Sequence, residues 1–160
     1  LLHLVIDGVP WIADTGFGAL TPTVPLRLDT EASQSTSHEP FRVRKNGDQY
    51  QLEARLGEQW RLLYRFPLHA VPAADYRMFN WYVSHHPESI FVTHLVAARV
   101  EAGRRHTLLD HRYTVRYPDG ASESRELAGV DQVVDILERV FRAQVEDRAA
   151  FRRRFARDTR

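Results

Sequence analysis

Hydrophobic and polar positions alternate in short runs along the first half of the chain, which is the pattern of half-buried β-strands. Two such runs, LLHLVID at residues 1–7 and WIAD at residues 11–14, are joined through an Asp7-Gly8 turn signal and predict a hairpin, with Pro10 limiting the pairing to an edge or a short ladder. A further short strand is predicted at PLRL, residues 25–28. The chain enters the first strand with no polar lead-in, so we expect this start to be a break inside a larger fold.

Three longer alternating runs follow, with turn residues between them. They are FRVRKN, QYQLEAR and QWRLLYRF, at residues 41–46, 49–55 and 59–66. Short strands in this order form an antiparallel meander, which closes into a barrel or packs as a sandwich. The first half is therefore predicted to be β-rich.

The second half mixes helix and strand patterns. Residues 73–86 have the length and the lack of helix breakers that a helix requires, and VDQVVDILERVFRAQV at residues 130–145 repeats apolar positions at three- and four-residue steps. Between them, strands are predicted in FVTHLVAARV, RHTLLD and HRYTVRYP. In the arginine-rich tail, Phe151 and Phe155 predict one face of a short helix whose arginines are solvated. The pattern predicts an α+β protein that divides near Tyr82.

Composition narrows the class of protein. The 22 basic and 21 acidic residues leave a formal net charge of +1, which argues against a general role on nucleic acid or membrane surfaces. The sequence has neither a long apolar run nor a leader pattern, so a cytoplasmic protein is expected. The absence of cysteine excludes disulfides and thiolate metal sites, and the eight histidines show no metal-ligand spacing, so no metal is expected.

The stretch WIADTGFG, residues 11–18, places a carboxylate directly after an apolar strand. In one interpretation, Asp14 caps the following turn and the glycines allow positive φ. In the other, Asp14 orients a histidine of a nucleophile, base and acid triad, and the glycines let a substrate approach Phe17. His3 faces Asp14 only if the hairpin loop is centred between Gly8 and Val9, and not if it is centred at Asp7-Gly8.

Several segments together resemble the arylamine N-acetyltransferases. WIADTGFG is similar to the strand-Asp-x-Gly-Phe-Gly segment of that family, and PLRL, QSTSHEPFRV, LYRF and NWYVSHHPESIF are similar to later stretches of the same enzymes in the same order. The similarity extends from Leu1 to about Phe141. The matching order makes the resemblance specific, since no single short motif would be enough.

The resemblance implies a cysteine-protease-like fold, with an N-terminal helical domain, a β-barrel and an α/β lid, and a Cys-His-Asp triad. Acetyl-CoA acetylates the cysteine, and an arylamine or arylhydrazine then takes the acetyl group. Asp14 matches the triad aspartate. The chain has no cysteine, and the family histidine would fall just before Leu1. We therefore expect the chain to contain the second and third domains, at residues 1–82 and 83–160, and to be inactive without the helical domain.

Further site residues are carried over by the same resemblance. Gly16, Phe17 and Gly18 match the segment that lines the acceptor-amine pocket, Phe91 resembles an aromatic residue that closes over the cleft, and Ser89 lies in the loop expected near acetyl-CoA. Two alternatives stay open: a related amide synthase that closes a macrolactam, and a non-enzymatic truncated paralogue that acts as a binding module.

Overall fold

The first elements of the chain form a small antiparallel sheet. The computed structural model describes residues 1–155. Strands β1 (Leu2–Ile6) and β2 (Val9–Ala13) pair as the predicted hairpin, and β2 also pairs with β3 (Leu26–Arg27). Asp7 and Gly8 both have positive φ, as a tight two-residue turn between strands requires. The turn is centred at Asp7-Gly8, so His3 pairs with Ile12 and not with Asp14.

The predicted meander is present as a second three-stranded sheet. Strands β4 (Phe41–Asn46), β5 (Gln49–Leu56) and β6 (Gln59–Pro67) pair in sequence order, each with its neighbour antiparallel. The register shifts between Leu52 and Glu53, because Leu52 pairs with Tyr64 while Glu53 pairs with Leu62. Leu63 is therefore an extra residue in β6, which makes this position a β-bulge.

One hydrophobic core joins these two sheets. Its members are buried side chains that alternate along the strands: Ile12, Leu26, Leu28, Phe41, Val43, Leu52, Ala54 and Phe66. Alternation places every second residue on the same face of a strand. The alternation explains the sequence pattern, except that the intervening Glu53 is also buried, where it forms an ion pair with Arg42.

Helix α1 (Ala73–His85) confirms the predicted helix but buries none of its residues. Its large apolar side chains are all exposed: Tyr76, Met78, Phe79, Trp81, Tyr82 and Val83. A four-residue helix, α2 (Ile90–Thr93), follows where a strand was predicted from residue 91. That part of the strand prediction is wrong, because Ser89 begins a helical turn and the strand starts only at residue 96.

The third sheet has four strands in the order β10-β9-β8-β7. Its strands are β7 (Val96–Glu101), β8 (Arg104–Leu109), β9 (Arg112–Arg116) and β10 (Ser122–Glu126). The first three confirm predicted strands. Strand β10 was not predicted, because its sequence SESRE is polar and all five residues are exposed, so it shows no alternation.

The C-terminal helices pack on a second core. Helix α3 (Val130–Ile136) continues as a π-helical turn (Leu137–Phe141) and stops at Arg142, which has a left-handed backbone. The helix predicted to reach residue 145 is therefore shorter than expected. Helix α4 (Arg148–Phe155) buries Phe155, and its arginines are exposed as predicted. The last five residues of the tail lie outside the described residues.

The chain divides into two compact units. The first contains Leu1–Ala70 with Glu101–Arg104 and Arg116–Ala121, and the second contains the remaining residues. The predicted division at residue 82 falls inside α1 and stays a prediction. Antiparallel sheets with short helices confirm the α+β class, and none of the three sheets within residues 1–155 closes into a barrel. No helix in the described part of the chain is long and apolar enough to cross a membrane.

Candidate functional site

The carboxylate of Asp14 is fixed at both oxygens. It follows the last residue of β2, so the strand sets the position of its backbone. Oδ1 accepts a hydrogen bond from the Gly16 backbone N–H at 2.9 Å, the local turn that Asp side chains commonly stabilise. Oδ2 accepts a hydrogen bond from the Tyr64 hydroxyl, 50 residues away in β6. The turn-capping role predicted for Asp14 is therefore present, together with a second contact.

Tyr64 joins Asp14 to the aromatic residue of the same loop. Its ring lies 4.8 Å from that of Phe17, measured between centroids, at a tilted angle of 52°. Burial of the phenol, then the hydrogen bond and the negative charge of Asp14, raise the pKa of Tyr64 above its ordinary value. Tyr64 therefore keeps its proton and donates to the carboxylate.

Gly16 and Gly18, the two glycines of the loop, differ in backbone conformation. Gly18 has φ +99°, a backbone conformation that favours glycine, whereas φ of Gly16 is not positive. Thr21 stabilises the loop because its hydroxyl accepts a hydrogen bond from Gly18 N–H at 2.8 Å. The prediction that glycine permits positive φ is confirmed at Gly18 and wrong at Gly16. An added Cβ at Gly16 would meet no atom within 4 Å, so this position is open to solvent or to a ligand.

No histidine among residues 1–155 hydrogen-bonds to Asp14, whose contacts are with Gly16 and Tyr64. His3 is exposed and lies opposite Ile12. The hairpin register therefore selects the arrangement in which His3 does not face Asp14. Among residues 1–155, no group of three or more His, Asp or Glu side chains is placed to hold a metal ion.

Ser89 and Phe91 lie in the second unit, apart in the chain from the Asp14 loop. Ser89 is buried, and its hydroxyl donates a hydrogen bond to the Val83 carbonyl at 2.7 Å, which ties α1 to the start of α2. Phe91 is 61% exposed. It lines a cavity of about 250 Å³ together with Phe151, Phe155 and the His94–Asp110 pair, whose Nδ1 and Oδ2 atoms are 2.7 Å apart.

Tyr64 is the site residue that sequence reasoning missed. It is part of the LYRF segment, but nothing in that segment shows that its hydroxyl reaches Asp14. The bulge at Leu63 sets which residues of β6 share a face, and bulges commonly re-aim side chains next to functional sites. A tyrosine two residues before the core residue Phe66 was the available signal, since both positions face the same side of the strand.

Sequence comparison now assigns the family. A family described as N-acetyltransferase matches residues 1–150. The chain is 39% identical over 141 residues to an arylamine N-acetyltransferase of Mycobacterium tuberculosis H37Rv, covering 88% of this chain and 50% of that protein. An arylamine N-acetyltransferase of Escherichia coli K12 is 34% identical over 149 residues, with coverage of 92% and 53%.

Solved structures agree with the sequence match. The structure of Mycobacterium marinum arylamine N-acetyltransferase in complex with CoA has a TM-score of 0.90 and 35% identity, and the match covers 97% of this chain and 59% of that one. An α+β fold of antiparallel sheets with a carboxylate anchored before a Gly-Phe-Gly loop is thus the fold of an acyltransferase family. The chain belongs to the arylamine N-acetyltransferase family. It spans about half the length of the curated relatives it matches.

Proposed function

We propose that this chain is part of an arylamine N-acetyltransferase that transfers an acetyl group from acetyl-CoA to an aromatic amine or hydrazine. The observation that carries the proposal is the anchoring of Asp14, whose two oxygens are held by Gly16 and Tyr64 beside Phe17. A carboxylate fixed in this way can hold an imidazole in one tautomer and favour its charged form.

Asp14 acts as the third member of a Cys-His-Asp triad. The 160 residues contain no cysteine. In this proposal, as the resemblance implies, a helical domain supplies the nucleophilic cysteine, and the triad histidine stands just before Leu1. An imidazolium held by Asp14 would lower the cysteine pKa into a range of roughly 3.5 to 7.5 and so favour the thiolate, which is the attacking form. Acylation of that cysteine followed by attack of the amine gives the two-step transfer.

Tyr64 is a positioning residue for Asp14. A hydrogen bond donated to a carboxylate stabilises its charged form and fixes the direction of its lone pairs. Because the raised pKa keeps Tyr64 protonated, this donation persists at neutral pH. The Gly16 N–H holds the other oxygen, so rotation of the carboxylate would break one of two hydrogen bonds.

The remaining predicted residues have roles in substrate binding, Phe17 in the first unit and Ser89 and Phe91 in the second. Phe17, with the backbone of Gly16 and Gly18, lines the acceptor pocket, and Phe91 supplies an exposed ring that closes over the substrate. Ser89 belongs to the acetyl-CoA side, where its hydroxyl fixes the start of α2 through Val83. In the whole enzyme, the first region completes a β-barrel and the second forms the lid, with a cytoplasmic location.

The proposal is tested by expressing the longest in-frame protein that contains this sequence. We expect acetyl-CoA hydrolysis that depends on an aromatic amine or hydrazine. The 160-residue chain by itself should give no transfer, because it has no thiol to acetylate. A longer protein that folds but acetylates neither amines nor hydrazines would refute the proposal and favour a binding module.

A further inference from the structure

The turn between β8 and β9 is held against the segment that follows α2. Asp110 lies in this turn, and its backbone N–H donates a hydrogen bond to the Leu95 carbonyl at 2.9 Å. Its carboxylate makes two more contacts: Oδ1 accepts a hydrogen bond from Leu95 N–H at 2.9 Å, and Oδ2 lies 2.7 Å from His94 Nδ1. One residue therefore holds two consecutive residues through three hydrogen bonds, all within the second unit.

The backbone of Asp110 has an uncommon conformation. Its φ is +51°, in the left-handed region, which residues other than glycine seldom adopt, although aspartate and asparagine do so more readily than most. Such backbone conformations persist where the surrounding structure holds them, and they are concentrated at functional sites. Asp7, in the β1–β2 turn, has φ +52°, but no hydrogen bond or ion pair joins its side chain to another of residues 1–155. A turn of this kind therefore does not need the side-chain contacts that Asp110 makes.

The segment that Asp110 holds is the end of the helical turn that carries Phe91. Helix α2 has four residues and buries none of them, and so short a helix is not stable by itself. Ser89 fixes its start, and Asp110 fixes the residues directly after its end. The backbone N–H of His94 donates to the Ile90 carbonyl at 2.9 Å, which closes the turn around Phe91. Asp110 therefore acts on Phe91 through the backbone of α2.

The side chains of Phe91, His94 and Asp110 line the same cavity, which has a volume of about 250 Å³. Because a carboxylate only accepts hydrogen bonds, Nδ1 of His94 carries the hydrogen in its contact with Asp110. This contact fixes the orientation of the imidazole beside Phe91. The wall of the cavity that contains Phe91 is therefore anchored at Asp110.

We infer that Asp110 is a positioning residue for Phe91. The inference rests on the proposed function, in which the ring of Phe91 closes over the aromatic amine. In this role Asp110 does not contact the substrate, but it fixes the backbone that carries the exposed ring. Order that exists before the substrate arrives lowers the entropic cost of binding. Removal of the Asp110 contacts should therefore weaken binding of the amine and leave the chemical step unchanged.

The test uses two variants of Asp110 and a matched control. Glycine adopts positive φ without strain, so Asp110→Gly keeps the turn and removes both side-chain contacts. Asparagine tolerates the same backbone and still accepts from Leu95 N–H, so Asp110→Asn should behave almost as the unchanged protein does. Asp7→Gly is the control, because it makes the same substitution at nearly the same φ in a turn without side-chain contacts. Thermal unfolding of each variant checks that the fold is kept.

Hydrogen exchange of the 160-residue chain tests the contact without any substrate. In Asp110→Gly, the amides of α2 and of Leu95 should exchange about tenfold faster, while that of the buried Val133 in the same unit is unchanged. Asp110→Asn and Asp7→Gly should show the exchange of the unchanged chain at these amides. Equal exchange at Leu95 in Asp110→Gly and in the unchanged chain would overturn the inference.

Steady-state kinetics of the longer protein tests the consequence for Phe91. We expect Asp110→Gly to raise KM for the aromatic amine about five-fold and to change kcat by less than about two-fold. In a Phe91→Ala background the same change should have no further effect on KM, because no ring remains to be positioned. Additive effects of the two changes, or a loss confined to kcat, would overturn the inference. Failure of the unchanged longer protein to acetylate any amine would instead contradict the proposed function, and faster exchange at Leu95 would still confirm the contact.

Discussion

The Asp14 loop and the Ser89–Phe91 turn contain the residues that the family resemblance selects, and they are held in different ways. At Asp14, the carboxylate itself is fixed, since both of its oxygens accept hydrogen bonds and Phe17 packs on Tyr64. At the second place, the buried Ser89 fixes the backbone while Phe91 is exposed. The first region therefore fixes a side-chain functional group, whereas the second fixes the backbone and leaves a side chain exposed.

Asp14→Asn in the longer protein should have the largest effect on activity. We expect a loss of about 10⁴-fold in kcat, because an asparagine cannot stabilise the imidazolium and favours the wrong tautomer. The fold should persist, since the amide still accepts from Gly16 N–H and can bond to Tyr64. Thermal unfolding checks the fold, and Asp48→Asn, in the exposed β4–β5 turn, is the control. Near-normal acetylation by this variant would show that Asp14 is not a member of a catalytic triad.

Tyr64→Phe should reduce activity less, by about tenfold, which corresponds to about 1.4 kcal/mol. The ring and its packing on Phe17 remain, but Asp14 loses one of its two hydrogen bonds. The loss should appear in kcat more than in KM, because the phenol acts through Asp14 and does not hold the substrate. An unchanged kcat would show that Gly16 alone is enough to position the carboxylate.

The same variant carries a pH signature. Because the folded-state pKa of Tyr64 is raised, its stabilising contribution is complete below the ordinary phenol pKa of about 10 and is lost as pH rises through the higher folded value. The tyrosinate absorbance of the 160-residue chain should therefore include a component, from Tyr64, that titrates at a pH above the ordinary tyrosine pKa of about 10. That component should be missing in Tyr64→Phe, and its presence there would assign it to another tyrosine.

Ser89→Ala tests the second region through stability. We expect a loss of about 1 kcal/mol in the free energy of unfolding, because the Val83 carbonyl loses its buried donor. Ser84→Ala is a suitable comparison, since the Ser84 hydroxyl donates to the Asn80 carbonyl within α1 but is exposed. A smaller loss at Ser89 than at Ser84 would show that this hydroxyl does not fix the start of α2.

Phe91→Ala should have the smallest effect on the fold. An exposed side chain contributes little to stability, so the free energy of unfolding should change by less than about 0.5 kcal/mol. In the longer protein, KM for the aromatic amine should rise a few-fold if the ring closes over the substrate. An unchanged KM together with unchanged stability would show that Phe91 is an ordinary surface residue with no role in substrate binding. The Asp14 loop would then be the more important of the two regions for activity.

Short-range sequence patterns correctly predicted the strands and helices that depend on residues near them in the chain. The Asp7-Gly8 turn signal predicted the hairpin, and the alternation in residues 41–66 predicted the meander. The length of the segment and its lack of helix breakers predicted α1. Strand β10 was not predicted, because an all-exposed strand has no hydrophobic period. The helix ending at Phe141 could not be foreseen, since it depends on a π-helical turn and a left-handed Arg142.

The candidate site was predicted as far as its local motif reaches. Asp14 and Phe17 stand in one short segment, so a resemblance could select them. Tyr64 is brought to Asp14 by strand pairing and a bulge. Contacts of this range depend on strand register and on the bulge at Leu63, which no local motif of the sequence shows.

Helix α1 also has a consequence for the dynamics of the isolated chain. An isolated helix of about 12 to 15 residues is marginal in water, and most helices gain their stability from packing of an apolar face. Since α1 has 13 residues and buries none of them, its amides should exchange with deuterium far sooner than those of β5, whose Leu52 and Ala54 are fully buried. Slow exchange throughout α1 in the longer protein would show that the apolar side chains between Tyr76 and Val83 are packed there.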